Sequence, residues 1–204
     1  MSENLENDAT LTDAQGQLLR RPFVEALLRR RGDALVITGL GNATYDAAAA
    51  GDRADNFYFW GAMGLPASAG LGLALAQPDR RVAVITGDGD MMMGIGSLAT
   101  IANVAPANLG IVILDNQKFG ETGQQNGLTA GPTDIAAMAR GAGFGATGEI
   151  RSADEIDLAA DLLFTQPGPA LCVVKIATSE DPRMLPSLDG AYLARRFRET
   201  VVRE

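Results

Sequence analysis

The chain has 204 residues and no histidine, so neither a serine–histidine triad nor a histidine-ligated zinc site can be built within it. Its formal net charge of −8 argues against a nucleic-acid partner, and no apolar run approaches the length of a membrane span. The acidic segment 1–13 lacks a signal-peptide pattern and Cys172 is expected to be a buried core thiol, so we expect a cytoplasmic protein that contacts neither nucleic acid nor a membrane.

Apolar periodicity predicts strands and helices that alternate along the chain. The first half is predicted to contain a helix over residues 14–31 interrupted by Pro22, a strand over 34–38, a turn over 39–42, a helix to residue 50, a strand over 57–60 and a helix over 66–76. The second half is predicted to contain a strand over 82–86, a helix to residue 103, a strand over 109–114, a long loop over 115–131, helices over 133–141 and 152–165, a strand over 170–177 and an amphipathic helix over 188–202. This alternation predicts an α/β fold with a doubly wound, mostly parallel sheet and helices on both faces.

Two polar residues follow two of the predicted strands. Asp88 lies in the sequence Gly87-Asp88-Gly89 after the strand over 82–86, and Asn116 follows the strand over 109–114. Ligands of open α/β sheets bind at the carboxyl ends of strands, so Asp88 and Asn116 should meet at one edge of the sheet. Carboxylate and amide oxygens beside a glycine turn suit Mg²⁺ bound to a diphosphate, whereas a simple helix cap is the alternative role for Asp88.

These motifs resemble the cofactor signature of thiamine diphosphate enzymes, in which a GDG is followed one strand later by an NN or DN pair. Residues 61–67 (GAMGLPA) resemble the segment that precedes GDG in the decarboxylase and acetolactate synthase branch. Residues 120–125 (GETGQQ) resemble the loop after the asparagine in sulfopyruvate and phosphonopyruvate decarboxylases. The resemblance covers residues 33–177 as a thiamine diphosphate-binding domain and leaves 1–32 as an N-terminal helical segment and 178–204 as a C-terminal helical tail.

The resemblance implies the thiamine diphosphate-binding fold and a role for each motif residue. Asp88, Asn116 and the carbonyl of Lys118 would bind Mg²⁺. Met63 would hold the two cofactor rings in a bent arrangement, although a core methionine is the alternative. The implied cofactor-binding residues are Gly61, Ala62, Met63, Gly87, Asp88, Gly89, Asp90, Met91, Asn116, Lys118, Phe119, Gly120 and Glu121.

Some residues near these motifs do not follow the resemblance directly. Asp90 departs from it, since many relatives carry a small residue there and a carboxylate near a diphosphate is unfavourable unless it turns away or meets a cation. Asn42, Thr44 and Gln124 are expected on loops that could reach a substrate. Glu121 is expected to order its loop, because the catalytic glutamate of the family lies on a separate pyrimidine-binding domain.

The resemblance therefore implies a subunit that holds no catalytic residue of its own. We expect it to act with a pyrimidine-domain (alpha) subunit, in a hetero-oligomer, as a thiamine diphosphate-dependent decarboxylase of a small anionic 2-oxo acid. A carboligating (acetolactate synthase-like) subunit, a 2-oxo acid oxidoreductase beta-type subunit and a non-catalytic cofactor-binding subunit are the alternatives. The oxidoreductase reading is disfavoured, because such relatives hold iron–sulfur clusters through several cysteines and this chain has one.

Overall fold

Runs of β-branched and leucine residues form the strands of the protein, which the computed structural model describes over residues 11–202. Its strands are β1 (Leu35–Thr38), β2 (Asn56–Tyr58), β3 (Val82–Gly87), β4 (Leu109–Asp115), β5 (Lys118–Phe119), β6 (Gln125–Asn126), β7 (Ala146–Ile150) and β8 (Ala170–Lys175). Its helices are α1 (Arg20–Leu28), α2 (Asn42–Ala49), α3 (Pro66–Ala76), α4 (Asp88–Met93), α5 (Ser97–Val104), α6 (Ile135–Ala142), α7 (Ile156–Phe164) and α8 (Gly190–Val201).

Six of these strands form a parallel sheet in the order β2-β1-β3-β4-β8-β7, and β5 pairs with β6 in a separate antiparallel hairpin. Alternate side chains enter the two faces of the sheet. Ile85 and Val112 belong to a buried cluster with α1, α2 and α7, whereas Val84 and Ile111 belong to a cluster with α3, α5 and α6. The predicted doubly wound α/β fold is therefore confirmed, and Cys172 is fully buried in the first cluster.

The N-terminal helix is shorter than predicted. It begins at Arg20, so Pro22 lies in its first turn, where the missing N–H removes no helical hydrogen bond and causes no interruption. The preceding residues are not helical. Leu18 instead forms a parallel bridge with Ile176, next to β8, and its side chain is fully buried.

A single helix was predicted after residue 86, but the structure has two helices, because the segment that contains Gly94 and Gly96 interrupts the helix. A Cβ atom on Gly94 would lie 1.9 Å from the carbonyl oxygen of Gly64. The close approach of these two backbones requires glycine at position 94 and ends α4 before a second helix, α5, begins.

Three further differences concern segments with weak apolar patterns. The predicted loop over 115–131 contains the β5–β6 hairpin and two 3₁₀ turns. Strand β7 was not predicted, because it is an edge strand whose residues are only partly buried except for Ile150. The predicted helical tail is irregular up to Asp189, and residues 1–10 and 203–204 lie outside the described range. Over that range, no helix combines the length and apolar content needed to cross a membrane.

Candidate functional site

A cleft opens at the carboxyl ends of β1, β3 and β4, where the strand order reverses between β1 and β3. Open α/β sheets bind ligands at such a reversal. Arg20, Asn42 and Ile176 contribute to its wall. The residues implied by the resemblance that line the cleft are Met63, Gly87, Asp88, Gly89, Asp90, Asn116, Lys118, Phe119, Gly120 and Glu121.

Asp88 is a buried carboxylate in this cleft, 4% exposed. Its Oδ2 accepts a hydrogen bond of 2.8 Å from the Thr129 hydroxyl, and within residues 11–202 it has no lysine or arginine partner. Burial raises the pKa of Asp88 to about 6, the charge of Asp115 adds to the rise, and the Thr129 hydrogen bond opposes it. A buried carboxylate without a cation is unfavourable, so a divalent metal would stabilise this arrangement.

Thr129 joins Asp88 to a second carboxylate. Its Oγ1 also lies 2.8 Å from Oδ1 of Asp115, but a hydroxyl has one proton and can donate to only one of the two carboxylates. Asp115 also pairs through Oδ2 with the ammonium group of Lys175. Lys175 therefore neutralises Asp115 and leaves Asp88 available to a metal. No sequence motif marks Thr129, which lies in the segment predicted as a long loop.

A strained turn brings the other two predicted magnesium ligands to the cleft. Gln117 has a φ of +62°, an uncommon value for a residue other than glycine, and such outliers concentrate at functional sites. The residues before and after Gln117 are joined by a hydrogen bond of 3.0 Å, in which the Lys118 N–H donates to the Asn116 Oδ1. Asn116 and Lys118 both line the cleft, and their role as magnesium ligands stays a prediction.

Two glycines, Gly89 in the cleft wall and Gly127 next to Asp88, leave little space for a side chain. A Cβ atom on Gly89 would lie 3.0 Å from the Phe119 ring, and one on Gly127 would lie 3.2 Å from Oδ2 of Asp88. Over the described residues, no group of three or more cysteine, aspartate or glutamate side chains could hold a metal. A magnesium ion at Asp88 would therefore need amide, backbone and diphosphate oxygens as further ligands, and the residues present fit thiamine diphosphate with Mg²⁺.

Met63, on a turn, and Asp90, in helix α4, both line the cleft. Met63 is 41% exposed, whereas Asp90 is buried. The Asp90 carboxylate accepts hydrogen bonds from the Gly64 N–H and from the Thr86 hydroxyl. The carboxylate is therefore occupied by the protein, and no cation pairs with it in the part of the chain described here.

Other predicted residues lie outside the cleft wall. Gly61 and Ala62 precede Met63 on the same turn, and the side chain of Met91 is buried in the core. The expectation that Thr44 lies on a loop is wrong. Thr44 lies in helix α2, it is fully buried, and its hydroxyl contacts the Thr38 hydroxyl and donates to the Gly39 carbonyl.

Asn42 and Gln124 lie beside a second cavity that adjoins the cleft. Asn42 is the first residue of α2 and lines both spaces, which corrects the expectation that it lies on a loop. Gln124 follows the 3₁₀ turn after β5, has a φ of +62°, and its Oε1 is buried without a hydrogen-bond partner. Glu121 lies between them and pairs with Arg183 of the tail at 3.3 Å, so it connects its loop to the tail.

Arg20 is a cleft residue that the sequence analysis did not identify. It is 2% exposed, and its guanidinium pairs with the buried Asp46 and, at 3.0 Å, with Asp181 of the tail. Arg21 also pairs with Asp46, at 3.0 Å. The arginine pair at the start of α1 is visible in the sequence, but its carboxylate partners are too distant along the chain to be inferred from it.

Fold and cleft together define a cofactor-binding α/β domain with a diphosphate-type site at the reversal of its strand order. The family described as "Thiamine pyrophosphate enzyme, C-terminal TPP binding domain" matches residues 39–174. The chain belongs to this family.

Two curated relatives match most of the chain. The sulfopyruvate decarboxylase subunit beta of Methanothermobacter thermautotrophicus is 38% identical over 85% of this chain and 92% of its own length. The phosphonopyruvate decarboxylase of Streptomyces viridochromogenes is 35% identical over 96% of this chain, which spans 52% of that longer protein.

A solved structure supports the fold assignment independently. It is an X-ray structure from Mycobacterium smegmatis, described as a candidate thiamin diphosphate-dependent enzyme, and it superimposes with a TM-score of 0.68. The sequence identity is 22%, and the match covers 79% of this chain and 32% of that one. At this identity the similarity concerns the fold alone.

Proposed function

We propose that this chain is the diphosphate- and magnesium-binding subunit of a thiamine diphosphate-dependent decarboxylase that acts on a small anionic 2-oxo acid. The observation that carries the proposal is Asp88, a buried carboxylate without a cationic partner among residues 11–202, at the strand-order reversal of a family member's fold. The names of the two decarboxylase relatives support 2-oxo acid decarboxylation, with a sulfonated or phosphonated pyruvate as the substrate class.

The residues of this chain would bind and orient the cofactor. Thiamine diphosphate, when bound, supplies the electron sink that decarboxylation of a 2-oxo acid requires. Asp88, Asn116 and the Lys118 carbonyl would hold the magnesium ion, and Gly89 would let the backbone approach the diphosphate. Met63, at the exposed side of the cleft, would support the cofactor rings.

A second subunit would complete the site. Glu121 of the cleft is paired with Arg183, so no unpaired glutamate of the described cleft wall is available to activate the cofactor. Exposed apolar residues also lie close to Met63, since Leu65 is two positions away, Met93 packs against Gly64, and both side chains are more than half exposed. Apolar, methionine-rich and charge-poor surfaces are typical of subunit interfaces. These features support an alpha-type partner that covers the cleft and contributes the catalytic carboxylate.

Substitution of Asp88 tests the central assignment. In the two-subunit complex, Asp88→Ala should weaken Mg²⁺-dependent binding of thiamine diphosphate by at least about 100-fold, because even groups that only support a metal ligand contribute 10–100-fold. Isothermal titration calorimetry with Mg²⁺, and with EDTA in its place, measures this effect. Asp79→Ala, an exposed aspartate outside the cleft, is the matched control. Equal affinity of Asp88→Ala and the wild type would overturn the assignment.

A further inference from the structure

We propose that Asp90 is a positioning residue that fixes the turn carrying Met63 against helix α4, which begins at Asp88. This inference rests on the proposed function, because Met63 and Asp88 are the residues proposed to hold the two ends of the cofactor. It assigns a role to the one motif residue that departs from the family pattern.

The contacts of Asp90 join two segments that are distant in sequence. Its Oδ1 accepts a hydrogen bond of 2.6 Å from the Gly64 N–H, 26 residues away, and its Oδ2 accepts one of 2.6 Å from the Thr86 hydroxyl at the end of β3. Asp90 is 6% exposed. Both carboxylate oxygens therefore have protein donors, and the buried side chain forms a bridge between the Met63 turn and the end of β3.

Glycines allow the backbone to pack closely around this bridge. A Cβ atom on Gly39, directly after β1, would lie 2.1 Å from Oδ2 of Asp90. Gly64 has a φ of +81°, and a Cβ atom there would lie 3.0 Å from the Gly94 nitrogen. The Met63 turn therefore contacts α4 at two places. Gly64 packs against Gly94 at the carboxyl end of the helix, and its N–H donates to Asp90 in the first turn.

The position of Met63 depends on this bridge. The Met63 side chain is 41% exposed, so packing around it restrains it little, whereas the Gly64 backbone next to it is held by Asp90. Removing the carboxylate would leave a buried N–H and a buried hydroxyl without acceptors. The Met63 turn would then lose its fixed distance from Asp88, and a displacement of this kind lowers the affinity for a ligand that contacts both residues.

Three variants separate this geometric role from an effect of charge. Asp90→Ala removes both hydrogen bonds. Asp90→Asn can keep both, since its Oδ1 can accept from Gly64 and its Nδ2 can donate to the Thr86 oxygen, while the negative charge is lost. Thr86→Val removes one of the two donors at nearly constant volume and replaces Asp90→Ala if that variant does not fold. Asp134→Ala is the matched control, because Asp134 also accepts a backbone N–H, from Ala137 at the start of α6, away from the cleft.

Two measurements test the proposal. In hydrogen–deuterium exchange of this chain without cofactor, the peptide containing residues 61–65 should exchange about tenfold faster in Asp90→Ala and at the wild-type rate in Asp90→Asn and Asp134→Ala. In calorimetry of the two-subunit complex with Mg²⁺, Asp90→Ala should bind thiamine diphosphate about tenfold more weakly, Thr86→Val should show a smaller loss, and Asp90→Asn should bind at least as tightly as the wild type.

The outcomes that contradict the proposal are distinct from those that contradict the proposed function. Unchanged exchange in residues 61–65 of Asp90→Ala, or an equal loss of affinity in Asp90→Asn and Asp90→Ala, overturns the positioning role. A wild-type complex that does not bind thiamine diphosphate overturns the proposed function, while the exchange experiment still tests the contact between Asp90 and the Met63 turn.

Discussion

At the ends of β3 and β4, two aspartates of equal charge have different environments. Asp115 has the ammonium group of Lys175 beside it, whereas Asp88 accepts hydrogen bonds from neutral groups such as the Thr129 hydroxyl, and its pKa is raised to about 6, chiefly by burial. The carboxylate without a cation gains the most from a metal. The chemistry of the site therefore depends on which of the two carboxylates Lys175 neutralises.

The buried arginine pair gives a stability prediction at the residue scale. Asp46 is fully buried, and burial raises its pKa while the hydrogen bonds and charge of Arg20 and Arg21 oppose the rise. Arg20→Ala leaves this carboxylate with Arg21 alone, so we expect the free energy of unfolding to fall by about 3 kcal/mol. Arg140→Ala is the control, because its pair with Asp134 is exposed and should contribute less than about 1 kcal/mol.

Urea denaturation followed by circular dichroism measures both changes. A loss for Arg20→Ala no larger than that for Arg140→Ala would mean that the Arg20 pair contributes no more than a surface pair.

How far the sequence predicts the site differs from residue to residue. Asp88 and Asn116 follow apolar strands, and their placement at one edge of the sheet follows from the geometry of parallel strands. Arg20 lines the same cleft and Thr129 contacts Asp88, but these residues are placed by the docking of α1 and by the path of a loop. Such contacts depend on tertiary packing and leave no local pattern. The orientation of Asp90 was open for the same reason.

At the scale of elements, the segment after β8 contacts the body of the domain at several points. Arg183 reaches Glu121, and the Ser187 carbonyl accepts a hydrogen bond of 3.3 Å from the Trp60 indole N–H. Helix α8 then docks through Arg196, whose guanidinium donates to both oxygens of Asp52 at 2.8 and 2.9 Å. The helix is amphipathic as predicted, and Phe197 packs on Phe57.

The Arg196–Asp52 pair predicts a pH-dependent docking of α8. Burial alone would raise the pKa of Asp52, but the hydrogen bonds from Arg196 and Tyr58 outweigh it and lower the pKa below its usual 3.8. The pair therefore stabilises docking at neutral pH and is lost as the pH falls through the lowered pKa. Arg196→Leu should accelerate amide exchange in residues 190–201 by up to about fivefold at pH 7, given the typical strength of exposed pairs.

Exchange in the peptides of β3 and β4 is the internal control and should not change. Measured at pH 3, after correction for intrinsic exchange rates, the difference between Arg196→Leu and the wild type should shrink. A difference that persists undiminished at low pH would show that Asp52 is not the partner responsible.

Element boundaries were predicted least well where tertiary contacts decide them. Val82–Gly87 and Leu109–Asp115 are central, largely apolar strands, and both were predicted to within a residue at each end. The edge strand β7 has one neighbour and little burial, so its sequence carries no apolar pattern. The break between α4 and α5 arises from the approach of Gly64 to Gly94, which no sequence window contains.

For the whole molecule, the distribution of charge is uneven. Charged residues make up 21% of the chain, yet residues 61–76 and 91–114 contain none. The second of these segments includes the buried strand β4, but α3 and α5 are partly solvent-exposed in the described chain, with Leu75 58% and Val104 41% exposed. This uncharged surface includes α3, which begins three residues after Met63 of the cleft, and a partner subunit that covers the cleft could extend over it.

A new charge on this surface tests the partner's position. Leu65→Glu, at a side chain that is 52% exposed, should leave the melting temperature of the isolated chain unchanged and weaken association with the alpha-type subunit by at least about tenfold, because a buried interfacial carboxylate would lack a partner. Leu158→Glu is the matched control, since Leu158 is 48% exposed on α7, on the opposite face of the sheet. Titration of each variant with the partner, followed by size-exclusion chromatography, compares them. Equal weakening by both variants would contradict the proposed location.

The ion pair between Arg20 and Asp181 joins residues that are 161 positions apart. A ribosome releases the first of them long before the second, so a nascent chain exposes the arginine side of the cofactor cleft throughout most of its synthesis. Only after the tail segment has emerged can this wall reach its final form. Products of premature termination before residue 181 would lack this ion pair. Their cleft would therefore be incomplete, unlike that of the finished chain.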